Sequence, residues 1–313
     1  MEERSGISGT TRWSIDSEGV LLFEPAYGEA GALSEMREWQ FCEDNVTSIK
    51  TDGVVFLPEN CRGLFSFCTK MKSFDGIDFD TSYVTDMNHM FMGCSSLTEL
   101  DLSSFDTHKV TDMGDMFTSC SRLKSINLSS FDTNKVKDMC GMFCECKNLE
   151  ELDLSSFDTH KTFTMRGMFD GCSSLGAIDL SNFDTADVED MSDMFEGCSC
   201  LETLDLSNFN TQNVADMSHM FRGCKNLRTL DLSNFDTKNV ENMSFMFSDC
   251  SKLGSLNISS FNTSKVTKMS LMFNGCDSLE TLDLSNFDTH NVEDKNFAFS
   301  GCRAISNSMG IIS

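Results

Sequence analysis

The sequence has few prolines, few basic residues and no long apolar run. Only two of its 313 residues are proline, so we expect no proline-rich stalk. No apolar stretch reaches the roughly 18 residues that a membrane-spanning helix needs, and residues 1–12 are too polar for the apolar core of a signal peptide. We therefore expect no membrane insertion, and either a cytoplasmic chain or a piece trimmed from an exported one.

Basic residues are outnumbered by acidic ones, 24 to 49, which gives a formal net charge of −25. A surface with this charge repels nucleic acid and anionic lipid over about 8 Å at physiological salt. Basic proteins, cations and neutral glycans remain acceptable partners. We expect a protein or glycan ligand, no nucleic-acid partner, no cofactor, and a monomer or a part of a longer chain.

A cysteine recurs every 26 residues without an insertion. The repeated positions are Cys68, Cys94, Cys120, Cys146, Cys172, Cys198, Cys224, Cys250, Cys276 and Cys302. They mark nine full repeats over residues 68–301 and the start of a tenth. A fixed period of this length predicts a solenoid, in which each repeat packs only on its neighbours. We assign residues 1–67 to an N-terminal cap and residues 302–313 to a partial repeat or C-terminal end.

The first half of each repeat predicts a short strand. Leu97, Leu100 and Leu102 alternate around the outward Asp101, which is the pattern of a strand with one buried face. Phe105 follows the strand and recurs in every repeat, which predicts a column of aromatic rings along the solenoid. The strands should therefore stack into one parallel sheet.

The second half of each repeat predicts a short helix. Val110, Met113, Met116 and Phe117 have the spacing of one buried helical stripe, and a glycine such as Gly93 commonly follows, where a left-handed helix end favours it. The predicted fold class is an α/β solenoid, a rod or horseshoe with parallel strands on one face and short helical segments on the other.

The N-terminal segment differs from the repeats. Residues 13–23 predict a hairpin whose turn lies at residues 16–19. A short helix is predicted over residues 34–40. Residues 46–65 resemble a degenerate repeat, because Leu64 and Phe65 lie 26 residues before Met90 and Phe91.

The cysteine and methionine columns are interpreted as core. Thiols at one repeat position point the same way, which suits disulfide geometry poorly, so we predict a ladder of buried thiols. Cys140, Cys144 and Cys146, with Asp170 one repeat away, form the most suggestive metal cluster, yet nothing in the spacing assures a four-coordinate site. The methionines suit packing against phenylalanine better than metal binding.

Two acidic columns carry the most charge. One lies on the exposed strand face: Asp75, Asp101, Asn127, Asp153, Asp179, Asp205, Asp231, Asn257 and Asp283. The other lies at the following turn: Asp80, Asp106, Asp132, Asp158, Asp184, Asn210, Asp236, Asn262 and Asp288. Their oxygens suit backbone N–H groups of turns and helix starts, and structural calcium is the alternative.

Catalytic signals are weak. His108 and His160 share one repeat position but lie two repeats apart, roughly 10 Å, too far for one ion. His89 and His219 share another position in distant repeats. No nucleophile-elbow, phosphate-loop or zinc-protease motif occurs, so we expect no enzyme. A glycan-active site built on Asp153 and Asp179 is the enzyme alternative.

Outward positions that vary between repeats suit recognition. The candidate binding face comprises Asp101, Asp153, Asp179, Asp205, Asp231, Asp283, Lys124, Glu150, Glu202, Arg228 and Glu280. If the protein is a binding module, we expect these side chains to contact and select a partner. If the protein is instead a structural spacer in a larger exported protein, we expect the residue types at these positions to vary without functional constraint.

The repeat consensus resembles the BspA-type leucine-rich repeat of bacterial surface proteins. The segment from Met90 through Met113 contains the whole pattern, and the likeness covers residues 68–301. Residues 1–67 resemble the segments that precede such arrays. The resemblance implies export, a cell-surface or extracellular location, and adhesion to host or matrix proteins, glycans or other cells. It brings no catalytic residues.

Overall fold

The structure, a computed structural model, describes residues 4–298 and 300–302. It divides into two bodies, Met1–Asp158 and Thr159–Ser313, which we call the N-terminal and C-terminal bodies. The strands of the N-terminal body are β1 Arg4–Ser8, β2 Thr11–Ile15, β3 Val20–Pro25, β4 Ala30–Ala32, β5 Ser48–Thr51, β6 Val54–Phe56, β7 Ser73–Phe74, β8 Phe79–Asp80, β9 Glu99–Asp101 and β10 Ser125–Asn127. Those of the C-terminal body are β11 Thr229–Asp231 and β12 Ser255–Asn257.

The N-terminal body begins with a five-stranded sheet in the order β1-β2-β3-β5-β7. The predicted hairpin is confirmed, since β2 and β3 pair antiparallel and Gly19, at φ 86°, donates its N–H to the Asp16 carbonyl at 3.1 Å. β3 then pairs in parallel with β5, and β5 with β7. The hairpin thus joins the parallel sheet through β3.

The short helix predicted over residues 34–40 is wrong. The one helix among the described residues is a 3-10 turn, Gln40–Asn45. Trp39 precedes it and is fully buried, with its ring 4.9 Å from that of Phe23. Burial of this indole fixes the connection as a tight turn packed on the sheet.

The degenerate repeat predicted over residues 46–65 keeps the 26-residue register only at its end, where Asn60 bridges Asp86, whereas β5 and β6 pair with residues 25 and 24 positions later. The Phe65 N–H donates to the Met90 carbonyl at 2.9 Å, and the two rings of Phe65 and Phe91 lie 5.6 Å apart. Both are relations that later repeats preserve. The boundaries of the predicted cap and the total of nine full repeats stay predictions.

Both bodies are β-solenoids in which residues 26 apart are in register. Parallel bridges join Asn60, Asp86, Asp112 and Asp138 in the N-terminal body. They join Thr164, Asp190, Asp216, Asn242, Lys268 and Asp294 in the C-terminal body. The consensus apolar positions are buried between stacked repeats, as Leu97, Val110, Met113 and Met116 illustrate with no exposed surface. The predicted core is confirmed.

The predicted helical segments are wrong, so the α/β label does not hold. Residues 87–94 form overlapping turns, in which the N–H groups of Met90 and Met92 donate to the carbonyls three residues back. The N–H groups that alternate with these, those of His89 and Phe91, donate to carbonyls of the next repeat at 2.9 Å. In an α-helix all of these groups would bond within the segment. We call this part of each repeat the turn column.

Each turn column contains two residues with left-handed backbone, four positions apart. In one repeat they are His89 (φ 60°) and Gly93 (φ 74°). The glycines predicted to end a helix therefore do adopt the left-handed conformation, but they close a turn. Each left-handed residue changes the direction of the chain, and two of them in each turn column replace a helix by a series of tight turns.

Aromatic rings stack along both bodies, most closely at a position other than the predicted one. The rings of Phe195, Phe221 and Phe247 lie 5.9 and 5.7 Å apart and are almost parallel. The predicted column at Phe105 is buried as well, with Phe131 and Phe157 at 6.3 Å.

Buried threonines tie neighbouring repeats together. Thr237 Oγ1 donates to the Asn262 carbonyl at 3.0 Å and accepts the Asn262 N–H at 2.8 Å. Thr81 and Thr107 do the same with the residues 25 positions later. Each hydroxyl therefore satisfies two backbone groups of the next repeat.

Among the described residues, no helix has the length and apolar character needed to cross a bilayer. The predicted partial repeat and C-terminal end at 302–313 lie outside the described residues except for Cys302, which is buried.

Candidate functional site

The candidate site is the strand face, by which we mean the outward side chains of the strand segments in each body. In the N-terminal body β9 and β10 pair in parallel with Leu100 opposite Ile126. In the C-terminal body β11 and β12 pair with Leu230 opposite Leu256. A shallow recess of about 470 Å³ lies over β9 and β10, and one of about 440 Å³ lies over the segment from Thr203 to Asn234.

Asp101 and Asp231 lie in β9 and β11, whereas Asp153, Asp179, Asp205 and Asp283 occupy the same repeat position in segments that form no regular strand; we include these equivalent segments in the strand face. All candidate residues predicted from the sequence are exposed. They are Asp101, Lys124, Glu150, Asp153, Asp179, Glu202, Asp205, Arg228, Asp231, Glu280 and Asp283. The inward residues beside them, such as Leu100 and Leu230, are 3% exposed. The alternation therefore separates a buried core from an exposed outer face. On that face the aspartate column is nearly constant, and the position of Lys124, Glu202 and Arg228 varies between repeats.

The strand-face aspartates are held by the backbone directly after them. Ser103 donates its N–H to Asp101 Oδ1 at 3.0 Å, and Ser207 donates to Asp205 Oδ1 at 2.9 Å. The same bond occurs at Asp153, Asp179, Asp231 and Asp283. Backbone N–H bonds favour the ionised carboxylate and lower the pKa of Asp101, Asp153, Asp205, Asp231 and Asp283. This face is therefore negative at neutral pH.

The positively charged candidates pair with acidic ones in the adjacent repeat. Lys124 Nζ lies 3.3 Å from Glu150 Oε1, and Arg228 Nε lies 4.0 Å from Glu202 Oε2. Each of the four side chains is about 60% exposed, so these pairs are weak and salt-screened. The charged groups of these pairs can therefore form new ion pairs with a bound partner.

The second acidic column also serves the backbone. Asp106 Oδ1 accepts the His108 N–H at 3.2 Å, and Asp184 Oδ1 accepts the Ala186 N–H at 3.0 Å. These are the turn contacts that the sequence suggested, although no helix follows them. A third column, including Asp112 and Asp216, makes the same bond and lies at the parallel bridges. This column was not predicted from the sequence, although its fixed place directly before a methionine was the available signal.

The thiol ladder is buried, as predicted. Cys120 Sγ donates to the Phe91 carbonyl at 3.2 Å and Cys250 Sγ to the Phe221 carbonyl at 3.0 Å. Burial raises the pKa of both thiols to about 12. Cys146, one of the three cysteines of the metal cluster considered with Cys140 and Cys144, makes the same bond to the Phe117 carbonyl, which directs its thiol into the core.

Within the described residues, one group of metal-type side chains converges, and the sequence did not indicate it. Ligand atoms of Asp193, Glu196 and His219 lie within 4.8 Å of one another. Arg166 contacts Asp193 at 3.3 Å, and Arg222 contacts Glu196 at 2.9 Å. The arginines compensate both carboxylates, so a cation would compete with them. Asp193 and His219 share one repeat position, which was the signal available in the sequence.

The two carboxyls of this group titrate differently. Burial raises the pKa of Asp193 despite its contact with Arg166. Burial also acts on Glu196, but the contact with His219, whose Nδ1 lies 3.4 Å from Glu196 Oε2, and the charges of His219 and Arg222 outweigh it and lower the pKa of Glu196. The arrangement is a compensated charge cluster that links neighbouring repeats.

Comparison with solved structures finds several leucine-rich-repeat proteins of low similarity. One is a leucine-rich repeat protein from Eubacterium ventriosum, with 17% identity, coverage of 96% of this chain and 95% of that chain, and a TM-score of 0.40. Another is a leucine-rich cell surface protein from Faecalibacterium prausnitzii, with 15% identity, coverage of 81% and 94%, and a TM-score of 0.24. A third is the Drosophila Toll–Spätzle complex, with 14% identity, coverage of 95% and 46%, and a TM-score of 0.31.

No curated protein matches the chain. A protein family described as "Mycoplasma protein of unknown function, DUF285" matches residues 59–177, 122–226, 148–255 and 226–311. These overlapping matches extend over most of the chain and coincide with the repeats. The chain therefore belongs to the DUF285 family.

Proposed function

We propose that this protein is a non-enzymatic recognition module that binds a protein or glycan partner through the strand face. The observation that supports this most is the division within each strand between fixed inward residues and variable outward ones. Outward side chains such as Lys124, Glu202 and Arg228 differ between repeats, whereas the backbone that presents them does not. A solenoid offers such an array as an extended binding surface.

The charge of the strand face favours a basic partner. Its aspartates are ionised, exposed and fixed in position by their backbone bonds. Preformed negative groups accelerate encounter with a positive surface and oppose nucleic acid or anionic lipid. A basic protein surface, or a glycan that hydrogen-bonds to carboxylates, is the partner class that fits.

A role in adhesion at the bacterial cell surface is the finer proposal. Its support is the resemblance of the repeat consensus to BspA-type repeats. A spacer in a larger exported surface protein is the competing function, and it requires no ligand for the strand face. The two differ in whether binding depends on the outward charges.

The test is a matrix-protein and glycan array probed with the purified chain at about 50 mM and about 500 mM NaCl. We expect ligands that are lost when Asp205→Asn and Asp231→Asn are combined. Glu189→Gln with Glu241→Gln is the matched control, since both residues are exposed acids outside the strand face. Silence across the array, or equal loss with both pairs, would favour the spacer.

A further inference from the structure

Bulky residues occupy the first left-handed position of the turn column in four successive repeats of the C-terminal body. These residues, which we call the left-handed strip, are His219 (φ 59°), Phe245 (φ 60°), Leu271 (φ 54°) and Phe297 (φ 55°). A left-handed backbone is uncommon for large side chains and is a strained state for them. The preceding repeats place Gly167 and Asp193 there, residue types that tolerate this conformation.

Core packing does not explain these side chains. Phe245 and Leu271 are partly exposed, and Phe297 is 72% exposed. The His219 ring stacks on Phe245 at 4.7 Å, and the Arg222 guanidinium lies 5.3 Å from the same ring. Phe245, Leu271 and Phe297 therefore form an apolar row that is half-buried at the first two residues and exposed at the third.

One border of the strip is acidic. Asp249 and Asp277 are exposed residues near Gly275 and Gly301, the glycines at the second left-handed position of the last two repeats. Asp249 Oδ1 lies 2.9 Å from the point where a Cβ on Gly275 would be, and Asp277 Oδ1 lies 4.0 Å from the corresponding point on Gly301. Each glycine lies four residues after a strip residue, Leu271 or Phe297, and has no side chain that would cover the neighbouring carboxylate.

We propose that the left-handed strip is a second docking surface, which binds a protein segment with apolar side chains interspersed with Lys or Arg. The apolar row supplies the anchors, and Asp249 and Asp277 supply the complementary charge. A second copy of this chain has the same acidic excess and is repelled, as are nucleic acid and anionic lipid. A neutral glycan has no positive charge to complement the acidic border and no long apolar side chains to cover the strip.

The probe is a short labelled peptide of alternating Leu and Lys, whose binding to the full chain is measured by fluorescence anisotropy. We expect binding at least tenfold tighter than that of a Ser-Lys peptide, and none by a Leu-Glu peptide. The key variant combines Phe245→Asn, Leu271→Asn and Phe297→Asn, because asparagine tolerates the left-handed backbone. This variant should bind the peptide at least tenfold more weakly than the wild type. Its melting temperature should be no more than about 2 °C below that of the wild type and can exceed it, because the strain is relieved.

A second variant, Asp249→Asn with Asp277→Asn, should reduce affinity and its salt dependence. Unchanged binding by the asparagine triple variant would overturn the proposal, as would a drop of more than about 5 °C in its melting temperature, since the strip residues would then be structural. Loss of peptide binding in Asp205→Asn with Asp231→Asn, but not in the triple variant, would assign the peptide to the strand face. That outcome would refute this docking surface and support the proposed function.

Discussion

Replacement of one buried threonine by valine tests how neighbouring repeats are held together. Thr237 has no exposed surface, and its hydroxyl both donates to the Asn262 carbonyl and accepts the Asn262 N–H. Thr237→Val keeps the shape but leaves both backbone groups without this partner. An unsatisfied buried polar group costs about 1–3 kcal/mol, so for the two groups we expect a loss of about 2–6 kcal/mol in the free energy of unfolding.

Thr237→Ser is the matched control, because it retains the hydroxyl and removes one methyl group, which costs about 1 kcal/mol. Urea denaturation followed by circular dichroism gives both values, and hydrogen exchange should show faster exchange of the Asn262 amide in the valine variant alone. Thr267→Val, at an exposed hydroxyl, should change stability by less than about 0.5 kcal/mol. If valine proved no worse than serine at position 237, the threonine bonds would not be what holds the repeats.

Three further predictions follow from the described side chains. The Ser207 N–H lowers the pKa of Asp205, so an NMR titration of the Asp205 carboxyl should give a midpoint below the unfolded value of about 3.9. The stabilising contribution of this carboxylate is present above the unfolded value and is lost as pH falls through the folded pKa. A midpoint at or above about 3.9 would contradict the bond. Maleimide at pH 8, with the labelled sites located by mass spectrometry, should modify the exposed Cys200 quickly and Cys250, whose pKa is raised to about 12, only after unfolding. Fast labelling of Cys250 in the folded chain would show that the ladder is open. Phe221→Ala should lower the free energy of unfolding, measured by urea denaturation, by about 3–5 kcal/mol because the ring is fully buried. Phe163 is 44% exposed, so Phe163→Ala should lower it by less than about 1 kcal/mol. Equal losses in the two variants would show that the stacked rings do not stabilise the solenoid.

The core was predictable from the sequence because burial follows repeat position. Leucine, methionine, phenylalanine and cysteine recur at fixed offsets, and a residue that stacks on identical neighbours has little choice of environment. The hairpin was equally accessible, since its turn residues are local signals. Strand-face exposure followed from the alternation around Leu100 and Leu230, and every candidate residue is indeed outward.

The helical prediction failed because apolar spacing does not reveal where the N–H groups bond. Met87, Met90 and Phe91 have helical spacing, yet alternate N–H groups of this segment donate to the next repeat. Two left-handed residues per repeat make this possible, and only glycine signals that conformation in the sequence. His89 and Leu271 give no such signal, so neither the turn column nor the left-handed strip could be predicted. The Asp193, Glu196 and His219 group was missed because it forms only when adjacent columns are aligned.

At the strand-face aspartates, the hydrogen bond that the turn needs can be distinguished from the negative charge that the side chain adds. Asn127 and Asn257 occupy the same column and accept the same serine N–H bond, at 3.2 Å, that the aspartates accept at 2.9–3.0 Å. The turn therefore does not require a charge, and stacked carboxylates repel one another. Because asparagine satisfies the backbone without that repulsion, the negative charge of Asp205 and Asp231 needs a reason outside the fold. Attraction of a basic partner supplies one, and it implies that aspartate-to-asparagine substitutions should remove binding while leaving stability unchanged or improved.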